Sequence, residues 1–263
     1  MQPIKTSSIS EARTLAERDG AVILDQVGAS ADDAKSVMQA LLGSGLRALP
    51  EPARVFDGGE QDRKQAGNTF QDPLKVHTDG FAYGDLYPDC LLLVCVHSSA
   101  QGGESYLVDG YDILETLATQ QDTAWIARAL METAVDQTEE GMQSALSPIV
   151  QTTPNGRVMV RRILDEYGNG PKAAPDSSNP ERDTQMIDTW TNTIEAAASK
   201  APRFRLEPGQ ALLVDNYRMF HGREGYADPT RMMWRVWGWS DQALGVPDMP
   251  LHSDTRYAHS DSG

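Results

Sequence analysis

Cysteine is almost missing: Cys90 and Cys95 are the only two in 263 residues. Both lie in or beside an apolar strand and have no metal-binding spacing to a histidine, so they read as small buried thiols of a reducing compartment. Long apolar runs are missing too. With no N-terminal apolar signal segment and no membrane-length span, a cytoplasmic chain without membrane association is expected. Basic residues are few, 23 Lys and Arg against 38 Asp and Glu, for a formal net charge of -15. Such a surface does not attract phosphate backbones, so no nucleic-acid partner is expected, although a local basic pocket is compatible with it.

What is present suits one hydrophobic core. The chain is 40% hydrophobic and its length fits a single domain over residues 1–263. Residues 10–18 have helix-forming composition, 20–24 read as a strand, and Ser30 is placed to N-cap a helix ending near Gly43. Together they make an N-terminal α/β cap over about residues 1–50. Residues 50–72 are polar and Gly-containing, and read equally well as a solvated connection or a substrate lid. A helical and hairpin insert is expected over about 111–200: one or two helices in 112–133, strands 149–152 and 157–160 around the turn Thr153-Pro154-Asn155-Gly156, a mobile surface segment at 172–180, and a helix over 181–199. Apolar strands follow at 211–214 and 231–239. The fold class expected is mainly β with helical additions (α+β).

Two imidazoles and a carboxylate can be gathered from distant segments. His77 and Asp79 stand two apart in Val76-His77-Thr78-Asp79-Gly80, and residues two apart on a strand point the same way. His221 lies far downstream in Met219-Phe220-His221-Gly222-Arg223. Two His and one carboxylate cover one face of an octahedron and leave the opposite positions open, which suits non-haem Fe(II) that takes an organic co-substrate and oxygen. An H-x-D triplet alone is weak in an Asp-rich chain. Arg231 and Arg235 strengthen it, because they sit four apart, hence on one face, in an apolar aromatic run. Guanidinium groups rarely enter such surroundings unless they meet an anion, and their fork fits a carboxylate. A dicarboxylate bound to the metal would be such an anion.

These segments, with Leu91-Leu92-Leu93-Val94-Cys95 and Gln101-Gly102-Gly103-Glu104-Ser105-Tyr106-Leu107-Val108-Asp109-Gly110 between them, resemble the Fe(II)/2-oxoglutarate-dependent oxygenases of the taurine dioxygenase and gamma-butyrobetaine hydroxylase type. The resemblance spans roughly residues 70–112 and 205–240. It implies a double-stranded β-helix (jelly roll) core of the clavaminate synthase-like kind, in which closure brings strands remote in sequence together. It implies His77, Asp79 and His221 as ligands of Fe(II), and Arg231 with the Ser105 hydroxyl on the far carboxylate of 2-oxoglutarate. Arg235 is implied near the iron-bound carboxylate or the substrate, and the two arginines remain alternatives for the co-substrate. Ser105 stands where many relatives have Thr. Related halogenases lack the carboxylate, so Asp79 favours oxygen transfer. The implied reaction consumes O2 and 2-oxoglutarate, releases succinate and CO2, and hydroxylates an unactivated C-H bond of a small polar metabolite. Desaturation, cyclisation or epimerisation with the same cofactor stays open.

Other residues support smaller expectations. Gln65 and Asn68 are candidate substrate contacts on the loop, and Arg162, beside Arg161 after the hairpin, is a candidate for an acidic substrate. His97 ends an apolar strand and reads as structural; His252 and His259 fall in a polar tail. Trp234, Trp237 and Trp239 read as sheet packing, and Asn216 and Arg218 as residues that fix a turn near His221. A reading of another class, a non-catalytic metal-binding jelly-roll sensor or binding protein, leaves Ser105 and the arginine pair unexplained. A zinc hydrolase would need a positioned general base. Homo-oligomerisation is left open.

Overall fold

Apolar residues fill successive positions of Ala21–Leu24, Cys90–His97 and Ala211–Asp215, and a strand of that kind needs cover on both faces. The computed structural model supplies it with two sheets and two groups of helices. It describes residues 1–55, 72–138, 145–163 and 170–248. Gln65, Asn68, most of the 50–72 segment, His252 and His259 lie outside the described residues. In chain order the strands are β1 (Ile4–Thr6), β2 (Ala21–Leu24), β3 (Leu46–Ala48), β4 (Ala53–Val55), β5 (Leu74–His77), β6 (Cys90–His97), β7 (Ser105–Asp109) and β8 (Val135–Asp136). They continue with β9 (Leu146–Ser147), β10 (Val150–Thr152), β11 (Val158–Val160), β12 (Lys172–Ala173), β13 (Ala211–Asp215), β14 (Met219–Arg223) and β15 (Met232–Ser240). The α-helices are α1 (Ile9–Asp19), α2 (Ala31–Leu42), α3 (Gly110–Thr119), α4 (Ala124–Glu132) and α5 (Pro180–Lys200).

The main sheet runs β1-β2-β13-β6-β15-β3, with β4 also on β15. The smaller sheet runs β5-β14-β7. Alternation sorts the side chains of the main sheet into two layers. Val22, Leu24, Leu92, Val94, Ala211 and Leu213 meet Ala12, Leu15, Ala34, Met38 and Leu41 of α1 and α2. Leu91, Cys95, Leu212, Val214 and Trp237 face the other way and pack with Leu107 and Met219 of the smaller sheet. The back of that smaller sheet, through Val76, Tyr106, Val108 and Phe220, is covered by apolar residues of α3, α4 and α5, Trp190 among them. Two facing sheets sharing one core, with early and late strands as neighbours, form a double-stranded β-helix.

Local chemistry explains the helix ends. Ser30 and Asp33 form a reciprocal capping box at α2, and Asn179 caps α5 with Pro180 in its first turn. The hairpin expected around residues 153–156 is the antiparallel pair β10-β11, closed by Gly156 at φ 82°. Of the segment 172–180, expected to be a mobile surface stretch, the first two residues form a short strand instead: Lys172 and Ala173 pair with Asp136 and Val135. Pro and Ser content signalled a loop there, while the backbone found a free strand edge. The N-terminal strands β1 and β2 extend the main sheet through β13.

A buried ion cluster ties the hairpin to this framework. Arg157 reaches Asp89 at 2.9 Å and Asp215 at 2.6 Å, while Asp89, fully buried, also accepts the Ser240 N–H at 2.8 Å. Removing one partner of such a cluster leaves a buried charge poorly compensated. Asp89→Ala is expected to destabilise the fold by about 3 kcal/mol, read as a lowered midpoint in urea; a loss below about 1 kcal/mol would show the cluster to be energetically idle.

Candidate metal and anion site

The five residues of β14 are sorted by the strand period. Met219 faces the layer between the sheets, and His221 and Arg223, at the same parity, line a cleft. Phe220 points to the helical side, edge-on to Trp190 with ring centroids 5.8 Å apart. Gly222 shares that side because Tyr106 lies against it, so that a Cβ would come within 2.6 Å of the ring. In this register His221 is the direct partner of His77 on β5, and the two rings stand 4.4 Å apart between centroids.

Asp79 completes the group from beyond the strand. β5 ends at His77, so the strand parity expected to orient Asp79 does not hold it. Its backbone is held instead: Asp79 N–H donates to Asn216 Oδ1 at 2.9 Å, and Asn216 Nδ2 donates to Asp79 O at 2.9 Å and Pro88 O at 2.8 Å. Thr78 N–H donates to Arg162 O at 2.9 Å. Gly80 follows at φ 80°, where a Cβ would sit 2.4 Å from Pro88 Cδ. Only glycine meets both demands.

The side chains converge. Asp79 Oδ1 lies 3.2 Å from His77 Nε2 and 3.4 Å from His221 Nε2, and donor atoms of all three residues lie within 4.8 Å of one another. Metal–ligand bonds of about 2.1 Å place adjacent donors roughly 3 Å apart, so the spacing fits a divalent ion. Asp79 Oδ2 is turned away, accepting the Trp237 indole N–H at 2.8 Å and facing Arg235 Nη1 at 3.3 Å. His77 Nδ1 donates to Lys75 O at 2.9 Å, and since a carbonyl only accepts, Nε2 keeps its lone pair for a metal. His221 Nδ1 is buried and has no hydrogen-bond partner among the described residues. Burial pushes the Asp79 carboxyl up, but Arg235 and the two imidazoles override it and hold it well below the usual range. Burial, then the neighbouring His77, pushes His221 down.

The rest of the cleft is cationic on one side. Ser105, Arg223, Arg231 and Arg235 line it together with the three candidate ligands, and Val55, Leu74, Leu93, Leu212 and Met233 supply apolar wall. Arg231, Met233 and Arg235 alternate into it, although Arg231 lies just before β15 and the strand is bulged between Met232 and Met233. Arg231 is 3% exposed, stacks on Tyr226 at 4.9 Å, and is paired with no carboxylate among the described residues. Gly103 makes room for it, since a Cβ there would come 2.9 Å from Arg231 Nε. Gly102 answers a different demand, because its Cβ would come 2.1 Å from the backbone Gly225 O.

Sequence reasoning placed His77, Asp79, His221, Ser105, Arg231 and Arg235 in one site, and the structure brings these six to one cleft. Arg162 is a correction: its guanidinium donates to Val76 O at 2.7 Å and pairs with Glu195 at 2.9 Å, outside the lining of the cleft. It serves β5 from behind. Trp237 packs in the sheet layer as expected, and its indole N–H in addition holds the candidate carboxylate ligand. Arg223 and Asn216 were not recognised as parts of the site; the two-residue spacing from His221 carried the signal for Arg223, while nothing local marks Asn216 as the partner of Asp79.

The model of the taurine catabolism dioxygenase TauD, TfdA family matches residues 2–237. The chain belongs to that family. Human gamma-butyrobetaine dioxygenase is 27% identical over 184 residues, which are 65% of this chain and 45% of that protein. The match thus spans less than half of the curated relative. Among solved structures, asparagine oxygenase with Fe(II), 2S,3S-3-hydroxyasparagine and succinate superposes with a TM-score of 0.62 at 16% identity, covering 89% of this chain and 78% of that one. PvcB, described as an Fe, alpha-ketoglutarate dependent oxygenase, gives 0.59 at 16% identity over 91% and 83%. At such identities the likeness is one of fold, and it agrees with the TauD, TfdA assignment. No helix among the described residues is long and apolar enough to cross a membrane.

The depressed His221 value has a consequence for this family member without metal. The unfolded chain takes up the proton first as pH falls through the ordinary imidazole value of about 6.5, so this contribution to stability is complete above that pH and is lost as pH drops through the folded value. In chelator, urea unfolding at pH 7.5 and 5.5 is expected to show a loss for the wild type that is smaller for His221→Phe. Equal losses in the two proteins would exclude His221 as the source.

Proposed function

We propose that this chain is an Fe(II)- and 2-oxoglutarate-dependent dioxygenase that hydroxylates a C-H bond of a small polar metabolite and releases succinate and CO2. The observation that carries the reading is the buried Arg231, which meets no carboxylate among the described residues and opens into the cleft that holds His77, Asp79 and His221. A guanidinium taken out of water at this cost is matched by an anionic ligand that arrives with its own carboxylate. A metal-binding sensor has no need of such a seat beside its ligands. Asparagine oxygenase, solved with Fe(II) and succinate, and PvcB, an Fe, alpha-ketoglutarate dependent oxygenase, support the same cofactors here.

On this reading His77 Nε2, His221 Nε2 and Asp79 Oδ1 hold the iron. Arg231 grips the far carboxylate of 2-oxoglutarate, with the Ser105 hydroxyl as a second donor. Iron with 2-oxoglutarate and O2 supplies oxidative decarboxylation and the oxidising power for the C-H bond. The protein fixes geometry: Lys75 O orients His77, Asn216 orients Asp79, and the apolar wall keeps water from the reacting region. Burial pushes the Arg231 guanidinium down, and an incoming carboxylate offsets the cost of keeping it charged. The full chain is read as one oxygenase domain, and Gln65 and Asn68 remain candidate substrate contacts.

Anaerobic titration of the Fe(II) protein with 2-oxoglutarate is expected to raise a weak visible charge-transfer band, and admission of O2 with a suitable substrate to give succinate. Absence of both ends the proposal. Arg231→Ala is expected to weaken 2-oxoglutarate binding by roughly 30-fold to 1000-fold, the range for a buried charge left unpaired, and to leave metal affinity within about threefold. His77→Ala and Asp79→Ala are expected to abolish turnover. An unchanged 2-oxoglutarate affinity in Arg231→Ala would move the anchor to Arg235.

A further inference from the structure

Trp237 meets Asp79 on Oδ2, while Oδ1 faces the two imidazoles. Its indole N–H donates to Asp79 Oδ2 at 2.8 Å, and its ring is 1% exposed in the layer between the sheets. Arg235 faces the same oxygen at 3.3 Å and stacks on the Trp237 ring at 4.9 Å. The two differ in freedom. The Arg235 side chain is 23% exposed and lines the cleft, whereas Trp237 is wedged edge-on against Trp239 with centroids 6.4 Å apart. Trp239 is in turn anchored by its N–H to Leu86 O at 2.7 Å.

We infer that Trp237 is a positioning residue that locks Asp79 as a one-oxygen metal ligand, and that it is the permanent partner of Asp79 Oδ2 while Arg235 is the exchangeable one. The inference rests on the iron reading of the site. A carboxylate with both oxygens free can rotate about its Cβ–Cγ bond, chelate an ion through both, or turn away. One strong donor on the far oxygen removes that freedom and leaves Oδ1 aimed between the imidazoles. Arg235 cannot perform this alone, because a guanidinium at the wall of the cleft is drawn towards any carboxylate that enters. The indole is buried in the layer between the sheets and held edge-on by Trp239, so its hold persists through ligand exchange. One position occupied by each ligand is also what keeps coordination sites open on the opposite side.

The test is Mn(II) affinity, measured by electron paramagnetic resonance of the free ion, in wild type, Trp237→Phe, and a variant carrying benzothienylalanine at 237, which keeps the shape of Trp and replaces N–H by sulfur. Wild type is expected to bind one Mn(II); failure there overturns the iron reading itself. Given binding, loss of the N–H is expected to weaken Mn(II) roughly 10-fold to 100-fold, the cost of removing an orienting partner of a metal ligand. The loss is expected to grow when an anionic co-substrate analogue is present to draw Arg235 away. Should Trp237→Phe lose its fold by circular dichroism, the isosteric variant decides. Affinity within twofold of wild type in a folded variant, with and without the analogue, overturns the role of Trp237.

Discussion

Everything in the site depends on one antiparallel pairing, that of β14 with β5. It sets His221 opposite His77, and the register is enforced from both faces. Met219 is committed to the layer between the sheets, Phe220 to the helical side against Trp190, and Gly222 to the gap beneath Tyr106. A slip of one residue would place Phe220 in the cleft and force an imidazole under the Tyr106 ring. The candidate metal ligands are therefore not aligned by contacts with one another. They are aligned by hydrophobic and steric commitments of their neighbours.

That crowding has an electrostatic counterpart. The chain carries a formal charge of -15, yet among the described residues the cleft is lined by Arg223, Arg231 and Arg235 and by one carboxylate, that of Asp79. Burial brings the Arg223 guanidinium down to about 10, with Arg231 adding to the effect and Tyr226 opposing it. Both arginines stay cationic at neutral pH, and both stack on the ring of Tyr226. An aromatic face softens the meeting of two cations. An acidic surface and a cationic cleft act on different length scales and do not conflict.

How far these features could be read without coordinates follows from the range of each signal. The β-rich core, the helices from residues 110–132 and 180–200, and the hairpin at 150–160 were legible because periodicity, caps and turn residues are local. Of the six cleft residues, Arg231 and Arg235 were legible as arginines in an apolar aromatic strand, whereas the His77 and Asp79 pair was weak by itself and Ser105 was implied only by the family resemblance. Orientation was less accessible. Asp79 was expected to point correctly because of strand parity, whereas it lies past the end of β5 and is aimed by Asn216, a residue far along the chain. Arg162 looked like a pocket arginine from its place after the hairpin, and only the presence of Glu195 on α5 shows that its charge is already matched. Trp237 looked like packing, which it is, but its N–H direction depends on a partner on another strand.

The same distinction separates what positions the chemistry from what selects the substrate. Residues that hold the ligands are bound to the backbone framework: Asn216 by Asp79 and Pro88, His77 by Lys75, Trp237 by the layer around Trp239. Charge couples the remaining occupants. A divalent ion entering a cleft with three guanidinium groups is opposed by them, and a dicarboxylate is favoured by both. On the proposed reading each of these ligands would therefore raise the affinity of the other, since a coupling free energy between two bound species is reciprocal.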